Sequence, residues 1–195
     1  MILGLTGGIG TGKTFVANIF EHLDIPVYYS DKRAKELMLE EKIKNEIIFL
    51  LGENAYFRNG QLNKKYISQR IFSDNIIKNK LEKIVHSAVK EDFEHWKNEN
   101  KECSLLVKES ALLIESGTYK DVDFVILVIA PKKVRVKRIK KRGNMTEEEI
   151  QKIIENQLPD SEKKKYANFV IDNSGTQFVL PQIFQILKKI NYNGI

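Results

Sequence analysis

The chain has 195 residues, 42% of them hydrophobic and 30% charged, which is the composition of a globular protein of about one domain. Its formal net charge of +6 favours anionic partners, either nucleic acid or phosphorylated small molecules. The single cysteine, Cys103, excludes an intramolecular disulfide and a metal site built from several thiolates.

Nothing in the sequence predicts a membrane protein. The segment 1–6 lacks the basic region and the long apolar stretch of a signal peptide. The apolar run 124–130 is far shorter than the roughly 20 residues that a membrane-spanning helix requires. We therefore expect a cytoplasmic protein with no membrane partner. We also expect a monomer, although the sequence leaves an oligomer open.

Short apolar runs alternate along the chain with longer amphipathic segments, which is typical of βαβ units around a parallel sheet. The predicted strands are 2–5, 27–29, 105–107, 124–129 and 169–171. Several of these runs contain little but apolar residues, as strands covered on both faces do. The pattern predicts an α/β fold of three layers, α/β/α, with a five-stranded parallel sheet.

A stretch of roughly 70 residues between the second and third strands is longer than a simple crossover needs. Residues 76–96 carry apolar side chains at helical spacing, and residues 58–60, Arg-Asn-Gly, supply a turn. One apolar helix face is predicted from Ile43, Ile47, Phe49, Leu50 and Leu51. We interpret the stretch as a helical insertion.

A second helical excursion follows the fourth strand. Thr146 and Glu149 have the spacing of a capping box, and Pro159 predicts that this helix ends near Gln157. We therefore divide one domain into three parts. The core comprises about 1–30, 102–130 and 166–195, the helical insertion about 31–101, and the lid about 131–165.

Residues 7–14, Gly-Gly-Ile-Gly-Thr-Gly-Lys-Thr, match the phosphate-binding loop pattern, in which Gly7, Gly12, Lys13 and Thr14 are the specified positions. The loop follows an apolar strand and precedes a helix-forming segment, which is the setting that this motif requires. Backbone N–H groups of such a loop surround an anion, the lysine reaches the β- and γ-phosphates, and the hydroxyl binds Mg²⁺. The sequence therefore predicts a site for ATP and Mg²⁺.

A carboxylate, Asp31, follows the second predicted strand. The carboxyl ends of neighbouring parallel strands face the same crevice, so Asp31 is a candidate to accept the proton of an attacking hydroxyl. The same residue is also a good N-cap for a helix through 34–39. The spacing alone leaves both interpretations open.

The basic run 132–142 begins the predicted lid. Arg138 and Arg142 are spaced i, i+4 and share one helix face, whereas the neighbouring lysines are expected in solvent. This spacing in the basic run favours a functional lid.

His86 is a lone histidine in an amphipathic helix, where packing or surface exposure is the ordinary outcome.

Five segments, in order over nearly the whole chain, resemble the dephospho-coenzyme A kinase family. They are 5–17 around the loop, Ser30-Asp31, Arg70-Ile71-Phe72-Ser73-Asp74, Leu112-Leu113-Ile114-Glu115 and Ile171-Asp172-Asn173-Ser174-Gly175. The resemblance implies a P-loop kinase fold with an acceptor-binding insertion and a lid. It also implies transfer of the ATP γ-phosphate to the ribose 3′-hydroxyl of dephospho-coenzyme A, with these two small molecules as partners and no nucleic acid.

The resemblance also implies roles for individual residues. Catalytic roles fall on Asp31, as the base, and on Lys13, Arg138 and Arg142, which neutralise charge on the transferring phosphoryl group. ATP binding falls on Gly8, Ile9, Gly10, Thr11, Gly12, Lys13, Thr14, Phe15, Asn173, Ser174 and Gly175. Substrate binding falls on Arg70, His86, Leu113, Glu115 and Gln157, of which Arg70 and His86 lie in the insertion that would receive the acceptor, and Mg²⁺ binding falls on Thr14 and Glu109.

The sequence departs from the family pattern at several positions. Phe15 replaces a hydroxyl residue, Glu109 and Ala111 replace an aspartate and a proline, Ser87 replaces a proline, and Arg135 replaces a glutamine. None of these changes removes a group that phosphoryl transfer requires. Two alternatives stay open: a nucleoside or nucleoside-monophosphate kinase, and a nucleic-acid-binding NTPase favoured by the basic charge.

Overall fold

The structure is a computed structural model that describes residues 1–143, 145–192 and 194. Five parallel strands form one sheet in the order β2-β3-β1-β4-β5. The strands are β1 Ile2–Thr6, β2 Val27–Tyr29, β3 Leu106–Glu109, β4 Phe124–Ile129 and β5 Phe169–Asp172. The predicted five-stranded parallel sheet is confirmed. The strands β1, β3 and β5 extend to the polar residues Thr6, Glu109 and Asp172, beyond the apolar runs from which they were predicted.

Helices connect and flank the strands. They are α1 Lys13–His22, α2 Ser30–Leu37, α3 Glu41–Leu51, α4 Lys64–Ser73, α5 Asn75–Glu99, α6 Lys132–Arg142, α7 Glu147–Asn156, α8 Asp160–Lys163 and α9 Val179–Lys189. Short 3₁₀ segments span Glu53–Ala55, Thr118–Asp121 and Lys164–Tyr166. None of the helices in the described ranges is both long and apolar enough to cross a membrane.

The chain folds into two compact units, of which the first contains Met1–Tyr29 and Asn100–Ile195. This unit holds the whole sheet, with α1 and α9 packed on it. Its core includes alternating strand residues and the apolar faces of these two helices, among them Leu3, Leu5, Val107, Ile126, Val128, Val16, Phe20, Ile183 and Leu187. Burial of these apolar side chains, at roughly 25 cal/mol per Å² of area removed from water, is the main force that holds α1 to the sheet.

The second unit, Ser30–Glu99, is built from α2 to α5. Ile43, Ile47 and Leu51 of α3 are buried at i, i+4 and i+8. Phe49 is 96% exposed, so its predicted place on the apolar face is wrong. Two residues of an α-helix turn the chain by about 200°, and Phe49 therefore lies opposite Ile47. The predicted turn is confirmed, because the amide of Gly60 donates to the carbonyl of Phe57.

The local signals for α7 are confirmed. The hydroxyl of Thr146 accepts from the amide of Glu149, whose carboxylate accepts from the amide of Thr146 in return. This capping box satisfies amides that the first turn of a helix leaves without partners. The helix ends at Asn156, with Gln157 in an extended conformation as its C-cap, as Pro159 predicts.

Candidate active site

The loop of residues 7–12 joins the end of the central strand β1 to the first residue of α1. Gly12 has a φ of +95°, and a Cβ on it would lie 2.2 Å from Nδ2 of Asn173, so this position accepts only glycine. Inside the loop, the fully buried hydroxyl of Thr11 donates to the carbonyl of Gly8 at 2.9 Å. The loop is therefore closed on itself at the N-terminus of a helix, where partial positive charge favours an anion.

Lys13 folds back over this loop. Its Nζ donates to the carbonyl of Gly7 at 3.0 Å and lies 4.0 Å from Oε1 of Glu109. Glu109 ends β3 and is 6% exposed, and strand register places it beside Leu5 of β1 and Tyr29 of β2. The ammonium of Lys13 is held at the loop by a carbonyl and a carboxylate, where it can bind a phosphate group that enters the loop.

Two oxygen groups at this end of the sheet suit Mg²⁺. Thr14, an exposed residue in the first turn of α1, has a side-chain hydroxyl, and Glu109 carries the carboxylate near Lys13. Nowhere in the described ranges do three or more histidine, cysteine, aspartate or glutamate side chains form a metal-binding group. Mg²⁺ in phosphoryl-transfer sites takes few protein ligands and completes its shell with phosphate oxygens and water. The donor set therefore fits Mg²⁺ bound together with a nucleotide.

Asn173, directly after β5, connects the loop to the lid. Its Nδ2 donates to the carbonyl of Thr11 at 2.8 Å, and its own carbonyl accepts from Nη2 of Arg138 at 2.8 Å. Nη1 of Arg138 also donates to the carbonyl of Thr11, at 3.1 Å. The three residues form one network around a single loop carbonyl, which fixes the side of the loop that faces α6.

A cavity of about 550 Å³ opens next to this network. It is lined by Gly12, Phe15, Arg138, Lys141, Arg142 and Asn173. The structure thus brings three predicted ATP-binding residues together with both predicted lid arginines. Arg142 is exposed and forms no hydrogen bond or ion pair with the described part of the chain, whereas Arg138 is committed to carbonyl oxygens. That either guanidinium acts on the transferring phosphoryl group stays a prediction.

Ser174 and Gly175 form the turn that follows Asn173. The amide of Ser174 donates to Oδ1 of Asp172 at 2.8 Å, and the serine hydroxyl is paired with that of Thr176. These bonds hold the turn at the C-terminal end of β5, the edge of the sheet at which the loop also lies. Their contact with ATP stays a prediction.

The other face of the loop is held by Gln157 and Arg135. Oε1 of Gln157 accepts from the amide of Ile9 at 2.8 Å, and Nε of Arg135 donates to the carbonyl of Ile9 at 2.8 Å. Burial lowers the pKa of Arg135, and Asp160, 3.8 Å away, acts in the opposite direction. Gln157, predicted to bind substrate, thus contacts the loop of residues 7–12.

The turn after β3 contains two of the predicted substrate-binding residues. Leu113 is fully buried and supports the turn from inside, since a Cβ on Gly4 would lie 2.6 Å from its Cδ2. Glu115 forms an ion pair with Lys163, with Oε1 and Nζ 2.6 Å apart. The predicted contacts of both residues with substrate stay predictions.

Three predicted site residues belong to the second unit. Arg70 is exposed in the last turn of α4, and His86 is exposed in the middle of α5. Asp31 lies inside the first turn of α2, because the helix begins at Ser30. The interpretation of Asp31 as an N-cap is therefore wrong. Its role as a base stays a prediction.

Sequence reasoning missed the contacts of Arg135 and Lys163. Arg135 departs from the family pattern, and the signal that could have marked it is its position three residues before Arg138, which places both on the same side of α6. No local pattern marks Lys163 for burial, because lysine is almost always exposed unless it is paired. Its partner Glu115 is 48 residues away along the chain.

Comparison with known proteins points to one family. A sequence model described as dephospho-CoA kinase matches residues 1–178. A dephospho-CoA kinase of Bacteroides fragilis is 37% identical over 196 residues, which cover 97% of this chain and 95% of the relative.

Solved structures show the same fold. TT1252 from Thermus thermophilus has a TM-score of 0.83 at 30% identity, covering 98% of this chain and 96% of that one. A dephospho-CoA kinase from Campylobacter jejuni has a TM-score of 0.70 at 23% identity, covering 100% of this chain and 98% of that one. The family model matches most of this chain, and the similar proteins match it over nearly the full length of both aligned chains. The chain therefore belongs to the dephospho-CoA kinase family.

Proposed function

We propose that this chain transfers the γ-phosphoryl group of ATP to the ribose 3′-hydroxyl of dephospho-CoA. The observation that carries the proposal is the cavity of about 550 Å³ beside the loop, which Gly12, Phe15 and Asn173 line together with both lid arginines. A cavity of this volume accommodates the nucleoside part of ATP. The loop beside the cavity presents helix-terminal amides for the phosphates of ATP.

Phosphoryl transfer requires positioned charge more than covalent chemistry from the protein. In our proposal Lys13 leaves the carbonyl of Gly7, on which it now rests, and binds the β- and γ-phosphates. Thr14 and Glu109 would hold Mg²⁺, Glu109 through water, and the ion when bound would supply positive charge that neutralises the phosphates.

We assign the general base to Asp31. The 3′-oxygen of the acceptor forms a bond to the γ-phosphorus while the bond from that phosphorus to the β,γ-bridging oxygen breaks, and ADP leaves. The hydroxyl proton passes to the carboxylate and then to solvent. Asp31 follows β2 by two residues, and Tyr29 at the end of that strand pairs in register with Glu109. This position along the chain supports the assignment.

We assign acceptor binding to the helical insertion, about 31–101, with Arg70 and His86 as its contacts. Arg70 carries a fixed positive charge, which suits the phosphate groups of dephospho-CoA. The exposure of both side chains leaves them accessible to a ligand. The lid, about 131–165, would close over both substrates and keep water from the γ-phosphate.

The test is an acceptor assay with γ-labelled ATP and Mg²⁺. Dephospho-CoA is offered beside nucleosides, nucleoside monophosphates and a random oligonucleotide, and label transfer and free phosphate are both measured. We expect transfer to dephospho-CoA and none to its 3′-deoxy analogue. Preferred transfer to a nucleotide, or ATP hydrolysis stimulated by the oligonucleotide, would reject the proposal in favour of that alternative.

A further inference from the structure

Side chains that follow β4 occupy both backbone groups of one loop residue, Ile9. The amide of Ile9 donates to Oε1 of Gln157, and its carbonyl accepts from Nε of Arg135, each at 2.8 Å. Nη2 of Arg135 also lies 3.4 Å from Oε1 of Gln157, so the two side chains touch each other. The backbone of Ile9 is thus hydrogen-bonded to side chains at both its N–H and its carbonyl.

The fit around Arg135 is close. Its side chain is 9% exposed, and a Cβ on Gly8 would lie 2.3 Å from Nη2. The loop therefore passes over the guanidinium with no space for a side chain between them. A buried charged donor in such a place contributes a strong hydrogen bond, and its removal leaves a loop carbonyl without a partner.

The geometry points to Arg135 as a positioning residue of the phosphate-binding loop, acting through the hydrogen bond from Nε to the carbonyl of Ile9. This inference rests on the proposed function in so far as the loop binds ATP. With Gln157 on the amide, Arg135 holds the loop segment 8–10 in one conformation before the nucleotide arrives. Less conformational freedom is then lost on binding, so the pre-formed loop has a higher affinity.

The Nε position offers a matched pair of substitutions. Glutamine places Nε2, and methionine places its methyl group, the same number of bonds from the main chain as Nε of arginine. Arg135→Gln therefore keeps a donor for the carbonyl of Ile9, and Arg135→Met removes it with little change in length. Lys137→Met, on an exposed residue of the same helix, controls for the loss of one positive charge.

The experiment measures ATP binding by calorimetry in the absence of acceptor. We expect Arg135→Met to raise the Kd for ATP at least about tenfold, as expected for a lost hydrogen bond to a charged group. Arg135→Gln should keep most of the affinity, and Lys137→Met should bind as the unchanged chain does. Gln157→Met should weaken binding too, and the double variant should weaken it less than the product of the two single effects.

A second measurement separates positioning from general support of the fold. Amide hydrogen exchange should become faster in residues 8–11 of Arg135→Met and stay unchanged in α1. Equal ATP affinity in Arg135→Met and the unchanged chain would overturn the inference, as would equal weakening by Arg135→Gln and Arg135→Met. A chain that binds ATP with this dependence but does not phosphorylate dephospho-CoA would reject the proposed function and leave the inference standing.

Discussion

The ammonium of Lys163 lies 2.6 Å from Oε1 of Glu115, and the lysine side chain is fully buried, whereas that of Glu115 is 21% exposed. Within the described residues this ammonium has no hydrogen-bond partner that could replace the ion pair. The contact ties the end of α8 to the turn that follows β3. The two charged groups of this ion pair are therefore not equivalent. Without its partner, the carboxylate of Glu115 can still be hydrated, whereas the buried ammonium of Lys163 cannot.

We predict that Glu115→Gln destabilises the protein more than Lys163→Met does. The first change leaves a buried ammonium without a counter-charge, which costs about 3–5 kcal/mol, whereas the second replaces the ammonium by an apolar side chain of similar length. Urea-induced unfolding of both variants measures the difference. The double variant should resemble Lys163→Met alone. Equal losses in the two single variants would show that the buried charge does not determine the cost.

Lys13→Ala should lower turnover by several orders of magnitude while the fold is retained. The lysine is the positive side chain held at the loop by the carbonyl of Gly7 and by Glu109, and its loss leaves the developing phosphate charge without this cation. Steady-state kinetics and a melting curve are compared with those of Lys133→Ala, an exposed residue at the start of α6. Turnover within tenfold of the Lys133→Ala value would contradict the assigned role.

Asp31→Asn should bind ATP normally and lose transfer, because an amide cannot accept the hydroxyl proton. Asparagine is close in shape to aspartate, so little of α2 should change. The single-turnover rate of phosphoryl transfer and the Kd for ATP are measured on the same preparation. Near-normal transfer would remove Asp31 from the chemistry and leave it only its place in the first turn of a helix, where acidic residues are favourable.

The features that sequence predicts well here depend on residues close together in the chain. The loop 7–14 is a contiguous pattern whose glycines, lysine and threonine each have a fixed function, and its strand and helix neighbours follow from periodicity. The capping box of Thr146 and Glu149 is equally local. In these cases the residues that define each pattern lie next to one another or within one helical turn, so no knowledge of the tertiary fold is needed to recognise it.

The features that sequence does not predict depend on contacts across the fold. Asn173 reaches the carbonyl of Thr11 from 162 residues away, and Arg135 reaches that of Ile9 from 126 residues away. Such pairs exist only because β5 and α6 pack beside the loop. The error at Phe49 has another origin: an apolar residue within a helical run is buried only if its angle about the helix axis places it on the packed face, and Phe49 lies opposite Ile47.

Arg138→Lys and Arg142→Lys should affect different kinetic constants. Arg138 uses two guanidinium nitrogens to hold the carbonyls of Thr11 and Asn173, which a single ammonium cannot do, so its replacement should raise the KM for ATP. Arg142 lines the same cavity but is free of such bonds in the described chain, and its replacement should lower kcat with little change in KM. Identical effects of the two changes would contradict this division.

The second unit should lose stability at alkaline pH through Tyr56. Its hydroxyl donates to the carbonyl of Met38 at 2.6 Å, and burial raises the pKa of Tyr56 to about 12 from 10.0. The folded chain therefore holds this proton more tightly than the unfolded chain, so the stabilisation is complete below pH 10 and is lost between about pH 10 and pH 12.

Tyr56→Phe isolates this contribution, because the other alkaline groups titrate in both proteins. At pH 8 the variant should be less stable by about 1 kcal/mol, the net value of one hydrogen bond. The gap in unfolding free energy should then narrow as the pH rises through the range of about 10 to about 12. Urea unfolding at a series of pH values measures it. A gap that stays constant across this range would mean that ionisation of the Tyr56 hydroxyl is not coupled to folding.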